Sequence, residues 1–166
     1  MKLKFLFAGL ITTALAFGIG QAQKTTSLQP SETIIDIINK GKHFTKLAAA
    51  LKFTGLDKTL SKKGLFTLFA PTNAAFDKIP KATLDQVLTN KVLLTKILLY
   101  HVVAGKFTTP DLLKLKTLKT AEGSDVKITN VKNVLRINRS RMAAKGVEAT
   151  NGEIHVIGLL LIPPMK

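Results

Sequence analysis

The stretch GLFTLFAPTNAAFDKI constrains the fold more than any other part of the sequence. Phe66–Ala70 is a short apolar run bounded by a glycine and by Pro71, which is typical of a buried strand. Pro71 has no amide hydrogen for a sheet and therefore ends the strand. Thr72 or Asn73 can then accept hydrogen bonds from the free amides of a helix predicted over 74–78. The residue types favour a strand-to-helix corner over a reactive loop.

Apolar residues recur at helical spacing through the first two-thirds of the chain. Phe44, Leu47, Ala48 and Leu51 form one stripe at i, i+3, i+4 and i+7, which predicts a helix packed on a core. Two more shared faces are Leu84, Val87 and Leu88, and Leu93, Leu94, Ile97 and Leu98. Ser31 or Thr33 is the predicted cap of the first helix, and Gly41 and Gly55 are predicted helix ends. A further helical turn is predicted over Asp111–Leu115, with Thr109 as its cap and Pro110 at its first position.

The last third of the sequence changes to alternating apolar and polar residues. The alternation begins at Thr117. Asn151-Gly152 separates two such segments, and an Asn-Gly pair in this position is a strong signal for a hairpin. Helices followed by strands predict an α+β fold. The early strand Phe66–Ala70 needs a partner, and the predicted partner is Ile154–Ile162 because both segments are almost wholly apolar.

The N-terminus has the composition of a secretory signal peptide. Two lysines precede a mostly apolar run over residues 5–19, and Ala22 stands where a signal peptidase would cleave. The run is short and diluted for a membrane-spanning helix, so cleavage is the favoured interpretation. We therefore expect a secreted or periplasmic protein. The predicted organisation is a signal peptide over 1–22, a polar linker over 23–30 and one folded domain over 31–166.

The charge of the chain is strongly positive: 25 Lys and Arg stand against 10 Asp and Glu, a net charge of +15. This charge predicts attraction to anionic partners, such as acidic polysaccharide or a membrane surface. Dispersed lysines with few aromatic rings between them argue against nucleic acid. The arginines cluster in RINRSR as Arg136, Arg139 and Arg141. This segment is either an anion-binding patch or simply the exposed face of a strand and its turn.

Catalytic and metal-binding signals are weak. The absence of cysteine excludes disulfides, a thiolate nucleophile and Cys-ligated zinc. Glu153 and His155 would share one face of a strand and could form a weak metal site. Tyr100 and His101 could act in proton transfer. Buried histidines bonded to the backbone are favoured in both places, so we predict no enzymatic activity, no metal and no cofactor.

Three segments together resemble the fasciclin domain family: TLFAPTNAAF, LLYHVV and NGEIHVI, in this order. The resemblance extends over residues 33–164. It implies a compact α+β domain in which the first and last segments form central strands and helices pack on one side of a bent sheet. It also implies adhesion to cell-surface or matrix partners outside the cell, without catalysis.

The resemblance also assigns roles to individual residues. Tyr100 and His101 match a segment implicated in integrin adhesion in animal members, so they join the arginine cluster as candidate contact residues. Gly158 stands where the family usually has Asp, and Gly146-Val147 stands where adhesive animal members have Asp-Ile. A carboxylate-to-metal contact of the integrin type is therefore not expected here. The positions assigned to structural roles are Thr67, Phe69, Pro71, Thr72, Asn73, Asn151, Gly152 and His155.

Two functional hypotheses follow from the sequence. The first is a secreted adhesion module that binds an anionic cell-surface or matrix macromolecule, with peripheral contact to a membrane surface as one form of that binding. The alternative is a carrier that holds a lipid or small molecule in an apolar cleft between the helices and the sheet. The many leucines around Leu93–Leu99 and Leu159–Ile162 suggest it. Neither the ligand nor the oligomeric state follows from the residues.

Overall fold

The structure, a computed structural model, describes residues 30–143 and 145–164. The predicted signal peptide and nearly all of the predicted linker lie outside these residues. The helices are α1 (Ile34–Lys40), α2 (Thr45–Thr54), α3 (Leu56–Leu60), α4 (Asn73–Asp77), α5 (Lys81–Thr89), α6 (Lys91–Tyr100) and α7 (Thr109–Leu113). The strands are β1 (Phe66–Pro71), β2 (Val102–Ala104), β3 (Thr117–Lys119), β4 (Asp125–Val131), β5 (Val134–Ile137), β6 (Ser140–Arg141), β7 (Val147–Ala149) and β8 (Gly152–Ile157).

The helix boundaries follow from capping chemistry. The Thr33 hydroxyl accepts a hydrogen bond from the third amide of α1, and Gly55 ends α2 in the left-handed region at φ +78°. The predicted cap of α7 was one residue late: Thr108 is the cap, not Thr109. A capping box needs an acidic residue three positions after the cap, and Asp111 follows Thr108 by three.

The strands form two four-stranded sheets. The first has the order β2-β1-β8-β7 and the second β3-β4-β5-β6. As the sequence predicts, β1 pairs with the C-terminal apolar segment: β1 and β8 run parallel, with Phe66 opposite Gly152 and Pro71 opposite Ile157. The prediction of an α+β fold is confirmed, although its strands divide between two sheets.

The segment Ile154–Ile162 leaves the first sheet halfway along, contrary to the sequence-based pairing. Strand β8 ends at Ile157. The next amide, that of Gly158, donates to the Arg141 carbonyl oxygen at 3.0 Å, so the chain turns toward the second sheet. An isolated bridge between Met142 and Ile157 joins the two sheets at the same place.

The first sheet is buried on both faces. Leu68 and Ala70 of β1 face a core formed with the helices, whereas Phe69 faces a second core shared with the second sheet. Burial on both faces explains why β1 is apolar along its length rather than alternating. The helical stripes of α2 and α6 pack against the first core. The predicted α5 stripe is narrower than expected, because Val87 is buried but Leu88 is 38% exposed.

Candidate functional site

The corner between β1 and α4 is held by hydrogen bonds to two side chains. The Thr72 hydroxyl accepts from the amide three residues further on, at 3.3 Å, and so caps α4. The Asn73 side chain accepts from the Lys46 amide at 3.1 Å and donates to the Lys42 carbonyl at 3.2 Å and to the Thr45 hydroxyl at 2.9 Å. Asn73 therefore fastens the start of α2 to the corner, and its amide group is occupied by protein contacts.

The turn between β7 and β8 makes a similar set of contacts. Asn151 is buried, its side chain accepts from the Ile34 amide at 2.9 Å, and it donates to the Leu60 carbonyl oxygen. Gly152 lies directly against β1. A Cβ atom at this position would stand 1.7 Å from the Phe66 carbonyl oxygen. The Asn-Gly pair thus joins the N-terminal helices to the centre of the first sheet.

Tyr100 lies at the end of α6 with only 3% of its surface exposed. Its hydroxyl donates to the Asp125 carbonyl oxygen and accepts from the Asn138 side-chain amide, both at 3.1 Å. These bonds connect α6 to the second sheet. In this conformation the ring offers almost no surface to a macromolecular partner.

His101 is completely buried, and both of its ring nitrogens bind backbone. Nδ1 lies 2.8 Å from the Ile97 carbonyl oxygen, and Nε2 accepts from the Leu161 amide at 3.0 Å. A carbonyl only accepts and an amide only donates, so the proton is on Nδ1 and the ring is neutral. Burial lowers the pKa of His101 to about 4. With both nitrogens occupied, the ring cannot relay a proton to a substrate in this conformation.

Thr67, Phe69 and His155 line the face of the first sheet that is directed toward the second core. Thr67 donates to the Gly105 carbonyl at 2.7 Å and accepts from the Phe107 amide at 2.9 Å. His155 Nε2 lies 2.7 Å from the Phe107 carbonyl, and its ring centroid is 5.9 Å from that of Phe69. Together these contacts hold the segment after β2 on the sheet. Burial also lowers the pKa of His155.

The arginine cluster lies on the outer face of the second sheet. Arg136 of β5 is paired directly with Arg141 of β6 and, on its other side, with Thr129 of β4. Paired residues project to the same side of a sheet, so these three side chains form one row across neighbouring strands. Arg139 lies in the exposed turn between β5 and β6.

Further cations share this surface. Strand alternation places Lys127 of β4 and Lys119 of β3 on the same face as the row. We call the surface formed by Lys119, Lys127, Arg136 and Arg141 the basic face. It contains one carboxylate, Asp125, opposite Lys119.

The arginines of the basic face have no carboxylate partner among the described residues. The ion pairs among the described residues all lie outside the basic face and all involve lysines. They are Lys40 with Glu32, Lys46 with Asp77, Lys96 with Glu122, and Lys106 with Glu148. The Nε atom of Arg136 is buried and has no hydrogen-bond partner in the described part of the chain. An oxyanion bound on this face would accept hydrogen bonds from the terminal nitrogens of the guanidinium.

An apolar cleft of ≈330 Å³ lies between helices α5 and α6 and the C-terminal segment. Leu93 and Ile97 line one wall, and Leu160, Ile162 and Pro163 line the other. The sequence-based carrier hypothesis expected a cleft between the helices and the sheet, whereas this cleft lies between two helices and the segment that follows β8. Lys96 is the one charged residue among those that line it.

Two further observations concern metal binding and membrane-spanning helices. Across residues 30–143 and 145–164, no three His, Asp or Glu side chains come together in a way that could hold a metal ion. None of the helices in those ranges is long and apolar enough to cross a membrane.

The fold and its three motif segments define the class of protein. The model of the Fasciclin domain matches residues 42–163, and the chain belongs to this family. The FAS1 domain pair from the insect cell adhesion molecule Fasciclin I superimposes with a TM-score of 0.67 at 22% identity, over 81% of this chain and 52% of that one. This likeness shows that the two proteins share a fold.

Relatives by sequence occur in bacteria and animals. The chain is 35% identical to protein sll1483 of Synechocystis over 161 residues, which is 95% of this chain and 86% of that one. It is 34% identical to the transforming growth factor-beta-induced protein ig-h3 of Oryctolagus cuniculus over 135 residues, or 81% of this chain. The match spans only 20% of ig-h3, so this chain corresponds to about one-fifth of that protein.

The sequence-based prediction included the arginines of the basic face but not the lysines and Thr129 of this surface. Lys127 and Thr129 alternate with the buried Val126 and Ile128, a period of two that places them outward. That alternation was available in the sequence. What the sequence lacked was the register that sets Thr129 beside Arg136.

Proposed function

We propose that this domain is a non-enzymatic adhesion module that works outside the cell and binds an anionic macromolecule, such as an acidic polysaccharide, through the basic face. The pairing of Arg136 with Arg141 is the observation that carries the proposal. Like charges placed directly opposite each other in a sheet destabilise it. A bound sulfate, phosphate or carboxylate group would remove that repulsion and fill the guanidinium forks.

The long-range part of the binding comes from the net positive charge, which is +15 for the whole chain including the predicted signal peptide. A field of this size attracts polyanions before any specific contact forms. Contact specificity then rests on the row of Thr129, Arg136 and Arg141, which supplies one hydroxyl and two planar forks. The predicted secretory signal supports a position outside the cell.

A double variant tests the basic face. Replacing Arg136 and Arg141 by Gln should weaken binding to a sulfated polysaccharide such as heparin by about tenfold or more, because two charge-assisted contacts are lost. The variant Lys62→Gln/Lys63→Gln removes the same charge from an exposed segment elsewhere and should change the affinity much less. Equal weakening in both variants would show that only net charge matters and would contradict a site on the basic face.

Salt dependence gives an independent check. Raising the salt from about 0.05 M to about 0.5 M should weaken binding of the unmodified protein steeply, because exposed charges are then screened over a few ångströms. Isothermal titration calorimetry with heparin measures binding to a polysaccharide, and co-sedimentation with anionic vesicles measures binding to a membrane surface. Affinity that does not respond to salt would remove charge from the mechanism.

The apolar cleft between α5, α6 and the C-terminal segment supports a second candidate function, that of a lipid or small-molecule carrier. Its apolar walls suit an alkyl chain. Native mass spectrometry of protein taken from the producing cell should then show a co-purifying ligand. A mass equal to that of the protein alone, together with no thermal stabilisation by medium-chain fatty acids, would oppose the carrier function.

A further inference from the structure

A cleft of ≈780 Å³ lies beside β7, the edge strand of the first sheet. One wall is the start of α7, with Thr108, Thr109 and Pro110, and the other is the chain that enters β7. Glu153 of β8 lies at the base with 6% of its surface exposed. Two carboxylates, Glu148 and Glu153, line the cleft together with one exposed cation, Lys145.

The Glu153 carboxylate has no hydrogen bond and no ion pair within the described residues. Glu148 lies directly opposite it on β7, but Glu148 is already paired with Lys106. Burial raises the pKa of Glu153, and the nearby Lys106 ammonium partly opposes that rise. A buried carboxylate without a partner is costly, so a cation that reached it would stabilise the protein.

Two more polar atoms beside the cleft lack partners among the described residues: Thr109 Oγ1 and His155 Nδ1. His155 is fully buried, and because its Nε2 binds a carbonyl, its Nδ1 is an acceptor. The position that a Cβ on Gly146 would occupy is 2.3 Å from Glu153 Oε1 and 3.0 Å from His155 Nδ1. Both acceptor atoms therefore lie close to Gly146, and a side chain at this position would cover the Glu153 carboxylate.

We propose that this cleft binds a cationic side chain, the ammonium of a lysine or the guanidinium of an arginine on a partner polypeptide, with the Glu153 carboxylate as its counter-ion. Glu153 and His155 present acceptors, so a ligand placed between them must donate hydrogen bonds, and the carboxylate attracts a positive charge. Lys145 also lines the cleft but forms no ion pair with Glu153. A metal ion fits less well, because no group of three potential ligands is arranged for one in the described part of the chain. The ligand could come from a second copy of this lysine-rich chain or from another polypeptide.

Amide NMR titration with n-butylammonium and n-butylguanidinium tests the site, with sodium chloride holding the ionic strength constant. We expect saturable shifts at Gly146, Val147 and Glu153. The neutral probe n-butanol should not produce them. Equal binding of n-butanol, or no saturable shifts at these residues, would overturn the proposal.

Two variants connect the shifts to the carboxylate. Glu153→Gln keeps the shape, removes the charge, and should weaken binding of both cations about tenfold or more. Gly146→Ala keeps the charge but places a methyl group against Glu153 Oε1, and should weaken binding as well. Asp85→Asn, on the exposed side of α5, is the matched charge control and should bind like the unmodified protein. Affinity unchanged in both Glu153→Gln and Gly146→Ala would contradict the assignment.

Sedimentation equilibrium identifies the source of the cation. A mass that rises with concentration and returns to that of the monomer in Glu153→Gln indicates a second copy of this chain. A monomer that still binds the cationic probes indicates another polypeptide. Both results support the site, whereas self-association that is unaltered in Glu153→Gln, with no probe binding, would oppose it.

Discussion

Replacing Gly152 by alanine should destabilise the domain by about 3 kcal/mol or more, enough to unfold a marginally stable protein. Two causes act together. The added Cβ would stand 1.7 Å from the Phe66 carbonyl oxygen, which belongs to the central strand and cannot move away without disturbing its pairing with β8. The backbone at Gly152 also has φ +153°, a region that residues with side chains rarely adopt. Urea denaturation monitored by circular dichroism measures the loss of unfolding free energy.

Gly123→Ala is the matched control for this prediction. Gly123 also has a positive φ, +106°, but a Cβ there would meet no atom within 4 Å. The control should lose only the conformational part, about 1 kcal/mol. Similar losses in the two variants would show that backbone strain, and not the close approach of β8 to β1, makes Gly152 necessary.

Acidification should destabilise the domain because of His101. Its pKa is about 4 in the folded protein, whereas an unfolded chain has the ordinary histidine value of about 6.5. Between these values the unfolded chain binds more protons, so lowering the pH favours unfolding. The stabilisation is complete above pH ~6.5 and falls by about 3 kcal/mol as the pH approaches 4. The lowered pKa of His155 acts in the same direction.

Free energies of unfolding at several pH values between 7 and 4.5 measure this loss. The variant His101→Gln should be less stable at neutral pH, because two backbone groups lose a fitted partner. Its stability should also depend less on pH. His43→Gln, at an exposed position, should keep the pH dependence of the unmodified protein. If the unfolding free energy of His101→Gln depended on pH as steeply as that of the unmodified protein, the buried His101 ring would not be the cause of this dependence.

Local chemistry made the β1–α4 corner predictable from the sequence. A proline that ends a strand and a threonine that caps a helix act over a few residues, so their order along the chain is enough. The pairing of β1 with β8 was also accessible, because both segments are apolar and need burial on two faces. The division into two sheets was not, since it depends on which strands pair with one another, and neighbouring residues along the chain do not determine that pairing.

Strand pairing also determines the candidate site, so the sequence predicts this site only in part. The sequence could find Arg136, Arg139 and Arg141 as a cluster, but only strand register shows that Arg136 and Arg141 are opposite each other. Family resemblance put Tyr100 and His101 forward as contact residues. The structure buries both and bonds their polar atoms to protein groups, so the proposed contact with a partner now rests on the basic face.

The most direct test of this account is to map where a polyanion binds. Amide NMR spectra recorded during titration with a sulfated oligosaccharide should shift around Lys127, Arg136, Arg139 and Arg141, with little change at residues 98–103. Shifts concentrated at residues 98–103, with the basic face unaffected, would mean that the Tyr-His segment opens to make the contact, and would contradict the account.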